Sequence, residues 1–94
     1  MDSVLQLLGL VYRAKKLVLG EEVLDRMKDV KLLFIASDIS SLSKTRLLKK
    51  CEYYQVTYID SYSYEQLSKA IGKNNVRVIG VIDEGFKNSL LKKI

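Results

Sequence analysis

Lys15 and Lys16 stand just ahead of Gly20, which is followed by Glu21, Glu22 and, further along, Arg26. A glycine lets a backbone approach a ligand closely, and free N–H groups at a helix start can hold a phosphate that lysines then neutralise. The same residues also fit a tight turn, glutamates matched to a helix dipole, and solvated lysines. A second set runs Ser40, Ser41, Ser43, Lys44, Thr45 and Arg46. Hydroxyls, free N–H groups and cations at a loop-to-helix junction suit phosphate oxygens; ordinary serine capping and a solvated helix face would use the same residues. A third set is Asp60-Ser61-Tyr62-Ser63-Tyr64. Tyr62 or Tyr64 could stack on an unpaired base, or one of them could pack on a sheet edge. Asp60 works against a polyanion in that loop.

Catalysis finds little support. Histidine is absent, which removes the commonest general base and the commonest metal ligand. Asp83 and Glu84 follow a strand, a usual place for active-site acids in α/β folds. With no partner group they read as an N-cap and a first-turn charge. An enzyme built on Asp38 and Asp83 is the weakest reading, because no activating constellation surrounds either carboxylate. No catalytic residue, metal ligand or cofactor is assigned.

Positioning these sets needs one folded domain. The chain has 94 residues, 48% of them hydrophobic, enough for a single core spanning residues 1–94. Lys and Arg outnumber Asp and Glu by 16 to 11, a formal net charge of +5 that favours phosphate-rich partners. The lone Cys51 precludes an internal disulfide and fits a reducing compartment. No secretory signal and no membrane-spanning stretch is expected, so a cytoplasmic protein is, with a monomer as the default state.

Val4, Leu7, Leu8 and Val11 predict a helix over Ser3–Ala14, with Ser3 and Gln6 as a capping box. Leu17-Val18-Leu19 predicts a strand stopped by Gly20. Glu21–Lys28 reads as a second helix with Val23, Leu24 and Met27 inward. Leu32–Ala36 is a continuous apolar run, the pattern of a strand buried on both faces. A third helix to about Tyr54 turns Leu47, Leu48, Cys51 and Tyr54 inward, and a strand follows at Val56–Ile59. Ser63 and Gln66 form another capping box, before a helix carrying Leu67, Ala70 and Ile71 and closed by Gly72. Val76–Ile82 is a strand, and Glu84–Ile94 a final helix with Phe86, Leu90 and Ile94 on one face. Gly9 and Gly80, inside elements, suggest close helix–sheet packing. The alternation predicts an α/β fold: a single-domain three-layer α/β/α sandwich with a central mixed four-stranded sheet and five helices.

In order along the chain, Leu8-Gly9-Leu10, Arg13-Ala14-Lys15-Lys16, Gly20-Glu21-Glu22, Ile35-Ala36-Ser37-Asp38, Lys50-Cys51-Glu52-Tyr53-Tyr54-Gln55-Val56, Ala70-Ile71-Gly72-Lys73 and Val81-Ile82-Asp83-Glu84-Gly85-Phe86 carry a resemblance. The set resembles the kink-turn RNA-binding ribosomal protein superfamily of L-seven-Ae and L-thirty-e type, and more closely its bacterial ribosomal-protein-like branch. The resemblance implies that the start of the second helix and two loops at one end of the sandwich grip a sharply bent RNA. The family pattern of Gly, any residue, Asn, Glu, two residues and Lys falls on Gly20 to Arg26. Gly20 is kept and Arg26 keeps the closing charge, while Glu22 replaces the asparagine and Val23 the glutamate. A carboxylate accepts but cannot donate as an amide does, and valine makes no polar contact. A register in which Glu21 and Glu22 take the Asn and Glu positions leaves Asp25 in place of the lysine.

The resemblance therefore implies an RNA-binding, ribosome-associated class of protein, recognising bent (kink-turn-like), ribosomal or small structured RNA by shape and backbone, with ribosomal or RNA-processing proteins as further partners. The expected RNA-binding residues are Lys15, Lys16, Gly20, Glu21, Glu22, Arg26, Ser40, Ser41, Lys44, Arg46, Tyr62, Ser63 and Tyr64. The alternative is a protein-interaction module on the same fold without kink-turn recognition, which Glu22 and Val23 favour.

Overall fold

In the computed structural model, which describes residues 2–94, the elements run α1 (Ser3–Arg13), β1 (Leu17–Leu19), α2 (Glu21–Asp25), a 3₁₀ turn (Met27–Asp29), β2 (Leu32–Ile35), α3 (Ser41–Tyr54), β3 (Thr57–Ile59), α4 (Tyr64–Ile71), β4 (Val78–Val81) and α5 (Glu84–Leu91). The four strands form one sheet in the order β1-β4-β2-β3. β4 is antiparallel to both β1 and β2, and β3 is parallel to β2, so the sheet is mixed as expected. α3 makes the connection that a parallel β2–β3 pair requires.

The apolar run of β2 is buried at every position, and its alternation assigns each side chain to a layer. Leu32 and Phe34 pack with Val4, Leu8 and Val11 of α1, Leu67 of α4 and Leu90 of α5. Leu33 and Ile35 pack with Val23, Met27, and Leu47 and Cys51 of α3 on the opposite face. Helices thus cover both faces, and the sandwich has three layers. Full burial of a Leu, Ile or Phe side chain is worth about 1.5–3 kcal/mol, so these two clusters supply the main stabilisation.

Local signals decide the ends of the elements. Ser63 accepts from the Gln66 N–H at 3.2 Å while the Gln66 side chain accepts from the Ser63 N–H at 2.9 Å, the expected capping box. Gly72 closes α4 in the left-handed region at φ 72°. Asp83 caps α5, accepting from the Phe86 N–H at 2.9 Å.

Several expectations are corrected. The cap of α1 is Asp2, not Ser3: its carboxylate accepts from the Val4 N–H at 2.7 Å, and a charged acceptor outcompetes the adjacent hydroxyl. The second helix breaks at Arg26, whose N–H is shared between the Glu22 and Val23 carbonyls before the tighter 3₁₀ turn begins. That tightening lets Val23, Met27 and Val30 all reach the core. Leu24 and Tyr54 face outward, 41% and 40% exposed. The last helix ends at Leu91, leaving Ile94 exposed beyond it. The last strand is confined to Val78–Val81, short of the expected ends at Val76 and Ile82. Gly80 serves close packing within the sheet and not against a helix: a Cβ there would meet Cγ2 of Val18, its partner on β1, at 2.9 Å and Cγ2 of Val30 at 3.0 Å. Gly9 instead serves a helix–helix contact, where a Cβ would lie 2.8 Å from the Ala70 carbonyl oxygen.

Candidate functional site

Strand direction brings distant segments together. Leu19 of β1 pairs with Ile79, and Ile35 of β2 with Val78, so β1 and β2 end where β4 begins. β3 runs parallel to β2 and ends on the same side. Gly20, residues 36–40, residues 60–63 and Arg77 therefore share one pole of the sheet. Backbone hydrogen bonds tie them: Ala36 N–H to the Arg77 carbonyl at 2.8 Å, Ser37 N–H to the Tyr62 carbonyl at 2.8 Å, and Gly20 N–H to the Val78 carbonyl at 3.3 Å. Asp38 adds a side-chain clamp, its carboxylate accepting from the Tyr64 N–H at 2.9 Å.

An open cleft of about 380 Å³ lies at this pole. Gly20, Glu21 and Leu24 form one wall, Ile39, Ser40, Ser43, Arg46 and Leu47 the other, and Arg77 with Val78 the floor. Two guanidiniums face one carboxylate, Glu21, so cationic charge prevails. None of the four ion pairs among the described residues engages Arg46 or Arg77. Both present planar donor forks suited to two-point contact with phosphate oxygens. Arg77 also lies over the Tyr64 ring, 5.9 Å from its centroid, and links the cleft to the loop before α4.

The sequence-predicted residues divide accordingly. Gly20, Glu21, Ser40 and Arg46 line the cleft. Gly20 adopts φ 59°, ψ −134°, a backbone shape suited to glycine, although its own N–H is used by Val78. Ser40 caps α3 by accepting from the Ser43 N–H at 3.2 Å, and the Ser41 carbonyl accepts from the Thr45 hydroxyl at 2.9 Å. Lys44 pairs with Asp60 at 2.9 Å, so Asp60 neutralises a cation of the same pole. Glu22 is exposed next to the cleft, and Arg26 pairs with Asp29 at 3.4 Å. Val23 is wholly buried and points into the core.

The two tyrosines also separate. Tyr62 packs against Phe34, ring centroids 6.3 Å apart, and donates its hydroxyl to Asp2 at 3.1 Å. Burial, and then the hydrogen bond and charge of Asp2, push its phenol above the usual range. Tyr64 is 41% exposed and is the ring this pole leaves accessible, with Ser63 capping the helix beneath it.

Lys15 and Lys16 are not brought to the cleft. The Lys16 carbonyl accepts from the Ile82 N–H, at the opposite end of β1 and β4. The four residue steps to Gly20 span about 13 Å of extended chain, beyond the ~8 Å over which exposed charges interact at physiological salt. Arg77, by contrast, was hidden inside an apolar segment expected to be strand throughout. Its signal was the single charge interrupting Val76-Arg77-Val78-Ile79, a position where a strand has not yet begun.

The model of the ribosomal protein L7Ae/L30e/S12e/Gadd45 family matches residues 2–91. The chain is 39% identical over 88 residues to the RNA-binding protein YlxQ of Bacillus subtilis (strain 168), covering 90% of this chain and 88% of that one. It is 36% identical over 88 residues to the RNA-binding protein YlxQ of Enterococcus faecium, covering 90% and 84%. A Bacillus halodurans protein described as of unknown function superposes with a TM-score of 0.91 at 36% identity, covering 99% and 97% of the two chains. The Giardia lamblia 15.5kD RNA binding protein shares the fold, with a TM-score of 0.81 at 20% identity over 96% of this chain and 80% of that one.

Proposed function

From the premise that the chain belongs to the ribosomal protein L7Ae/L30e/S12e/Gadd45 family, we propose that it is an RNA-binding protein, associated with the ribosome, that recognises sharply bent, kink-turn-like RNA by backbone and shape contacts. The observation that carries this reading is the cleft in which Gly20, Ser40, Arg46 and Arg77 meet, with Tyr64 alongside. An open cleft with two guanidiniums that take no part in the ion pairs among the described residues offers phosphate contacts, and one exposed ring offers a stacking surface for an extruded base. Few groups here read base edges. Val23 is buried, which removes that position of the family pattern from any ligand, and Glu21 and Glu22 can only accept. Shape and phosphate geometry therefore carry the recognition. The two relatives named RNA-binding proteins support the ligand class. The cytoplasmic, monomeric state expected from the sequence belongs to the same reading. No helix among the described residues is long and apolar enough to cross a membrane.

The test is a titration of a labelled kink-turn RNA and an unbent duplex of equal length at several salt concentrations. The bent RNA should bind at least roughly tenfold more tightly, with a steep salt dependence. One observation favours a second reading, a protein-interaction module: Glu21 lines the cleft and Asp60 neutralises Lys44, which lowers its positive charge. Equal, micromolar-or-weaker binding of both RNAs at low salt would support that module and reject the RNA reading.

A further inference from the structure

Along α3, Arg46, Lys49, Lys50, Tyr53 and Tyr54 recur at i, i+3, i+4, i+7 and i+8, the spacing of one helix face. Leu47 and Cys51 lie on the adjoining flank, turned to the core, and are buried. With Leu24 of α2, the five outward residues line a groove of about 530 Å³. No carboxylate lines it, and none of the four ion pairs among the described residues uses its cations. Tyr53 is 79% exposed. The Tyr54 ring braces it edge-on, centroids 4.8 Å apart at 77°, which leaves the Tyr53 ring a held and largely uncovered surface. Leu24 and Arg46 line both this groove and the cleft at the end of the sheet, so the two are continuous.

Resting on the RNA-binding reading, we infer that this face of α3 holds an unpaired segment of RNA flanking the bent element gripped in the cleft. The chemistry fits that occupant. Single-stranded nucleic acid is held by cations that follow its phosphates and by aromatic rings on which successive bases stack. Here the cations lie next to the cleft and the rings lie farther along the helix. A phosphate chain leaving the cleft at Arg46 meets Lys49 and Lys50 next, and its bases reach Tyr53 and Tyr54. The eight residue steps from Arg46 to Tyr54 rise about 12 Å, roughly the length of three stacked nucleotides. A rigid duplex would press its backbone against the rings and gain no stacking, so the segment is unpaired.

The experiment compares a kink-turn RNA without overhangs to the same RNA carrying four unpaired uridines on one end or the other. An overhang on one end should tighten binding roughly five- to tenfold, with no further gain beyond about four nucleotides. Neutralising two further phosphates through Lys49 and Lys50 should steepen the log–log salt slope by about 1.4 relative to the RNA without overhangs. Tyr53→Ala should abolish the gain and Tyr53→Phe retain it, because the ring and not the hydroxyl stacks. The double variant Lys49→Ala, Lys50→Ala should remove most of the added salt dependence. All three variants should bind the RNA without overhangs as the parent does, and as surface changes they leave both core clusters intact. No gain from either overhang, or a gain that survives Tyr53→Ala, would overturn the inference while leaving the cleft's role standing. Sedimentation showing that Tyr53→Ala dissociates an oligomer while the overhang gain persists would assign this face to a second copy and likewise overturn it. Failure of the RNA without overhangs to bind at all would reject the RNA reading and this inference with it.

Discussion

The Asp38 carboxylate accepts the backbone N–H of Tyr64 at 2.9 Å, across a sequence separation of 26 residues. This bond joins the loop after β2 to the start of α4 and sets Tyr64 beside Arg77. It gives Asp38 a structural task.

Asp38→Ala should therefore lower stability by about 1 kcal/mol, the usual net worth of such a hydrogen bond. Amide exchange at Tyr64 should accelerate, and affinity for bent RNA should fall several-fold through loosening of the two loops. Asp38→Asn keeps an acceptor and should lie between the parent and the alanine variant. Hydrogen exchange and RNA titration together check this.

Arg46→Ala and Arg77→Ala should each weaken RNA binding and make the salt slope shallower by about 0.7–0.9, the share of one phosphate contact. Lys15→Ala and Lys16→Ala should change both quantities far less, because those lysines lie at the other end of β1. Titration of the four variants at several salt concentrations distinguishes the two ends.

The two glycines Gly9 and Gly20 should respond to alanine for different reasons. Gly9→Ala forces a Cβ to 2.8 Å from the Ala70 carbonyl, so α1 must shift from α4 at a cost of about 1–3 kcal/mol. Gly20→Ala meets open space, and its cost comes from φ 59°, again about 1–3 kcal/mol of backbone strain. Denaturant unfolding measures both. Only Gly20→Ala should reduce RNA affinity beyond the loss of folded protein.

Burial pushes the Cys51 thiol up to about 11 from an ordinary 9.0. The folded chain then holds this proton where the unfolded chain releases it. The contribution is fully present below pH 9.0, declines as pH rises, and is lost by about pH 11. Unfolding midpoints measured across this range should fall less steeply in Cys51→Ala than in the parent. At neutral pH the buried thiol should react with a disulfide reagent only on unfolding.

The fold was legible where one local signal pointed to one outcome. Leu32–Ile35 has no polar residue to place outward, so burial on both faces follows, and of the nearby cap residues Asp60, Ser61 and Ser63 only Ser63 has a glutamine three positions on. At the first helix Asp2 and Ser3 are adjacent candidates, and the spacing to Gln6 favoured Ser3 although the charged carboxylate of Asp2 makes the cap. In the short α2 both Val23 and Leu24 are apolar, and which one turns inward depends on how the helix sits on the sheet. The site was less legible than the fold. Lys16 and Gly20 are four positions apart but separated by a strand, so nearness in sequence became distance in space. Arg77 lies far along the chain from Gly20 and Arg46, and only the antiparallel pairing of β4 with β1 and β2 brings the three together.

The most direct measurement of the central claim is a titration of isotope-labelled protein with a kink-turn RNA, following every backbone amide by NMR. The largest shifts are expected at Gly20–Glu22, Ser40–Arg46, Tyr64 and Arg77, with the region around Arg13–Lys16 little changed. Shifts centred on Arg13–Lys16, or none at saturating RNA, would contradict the account.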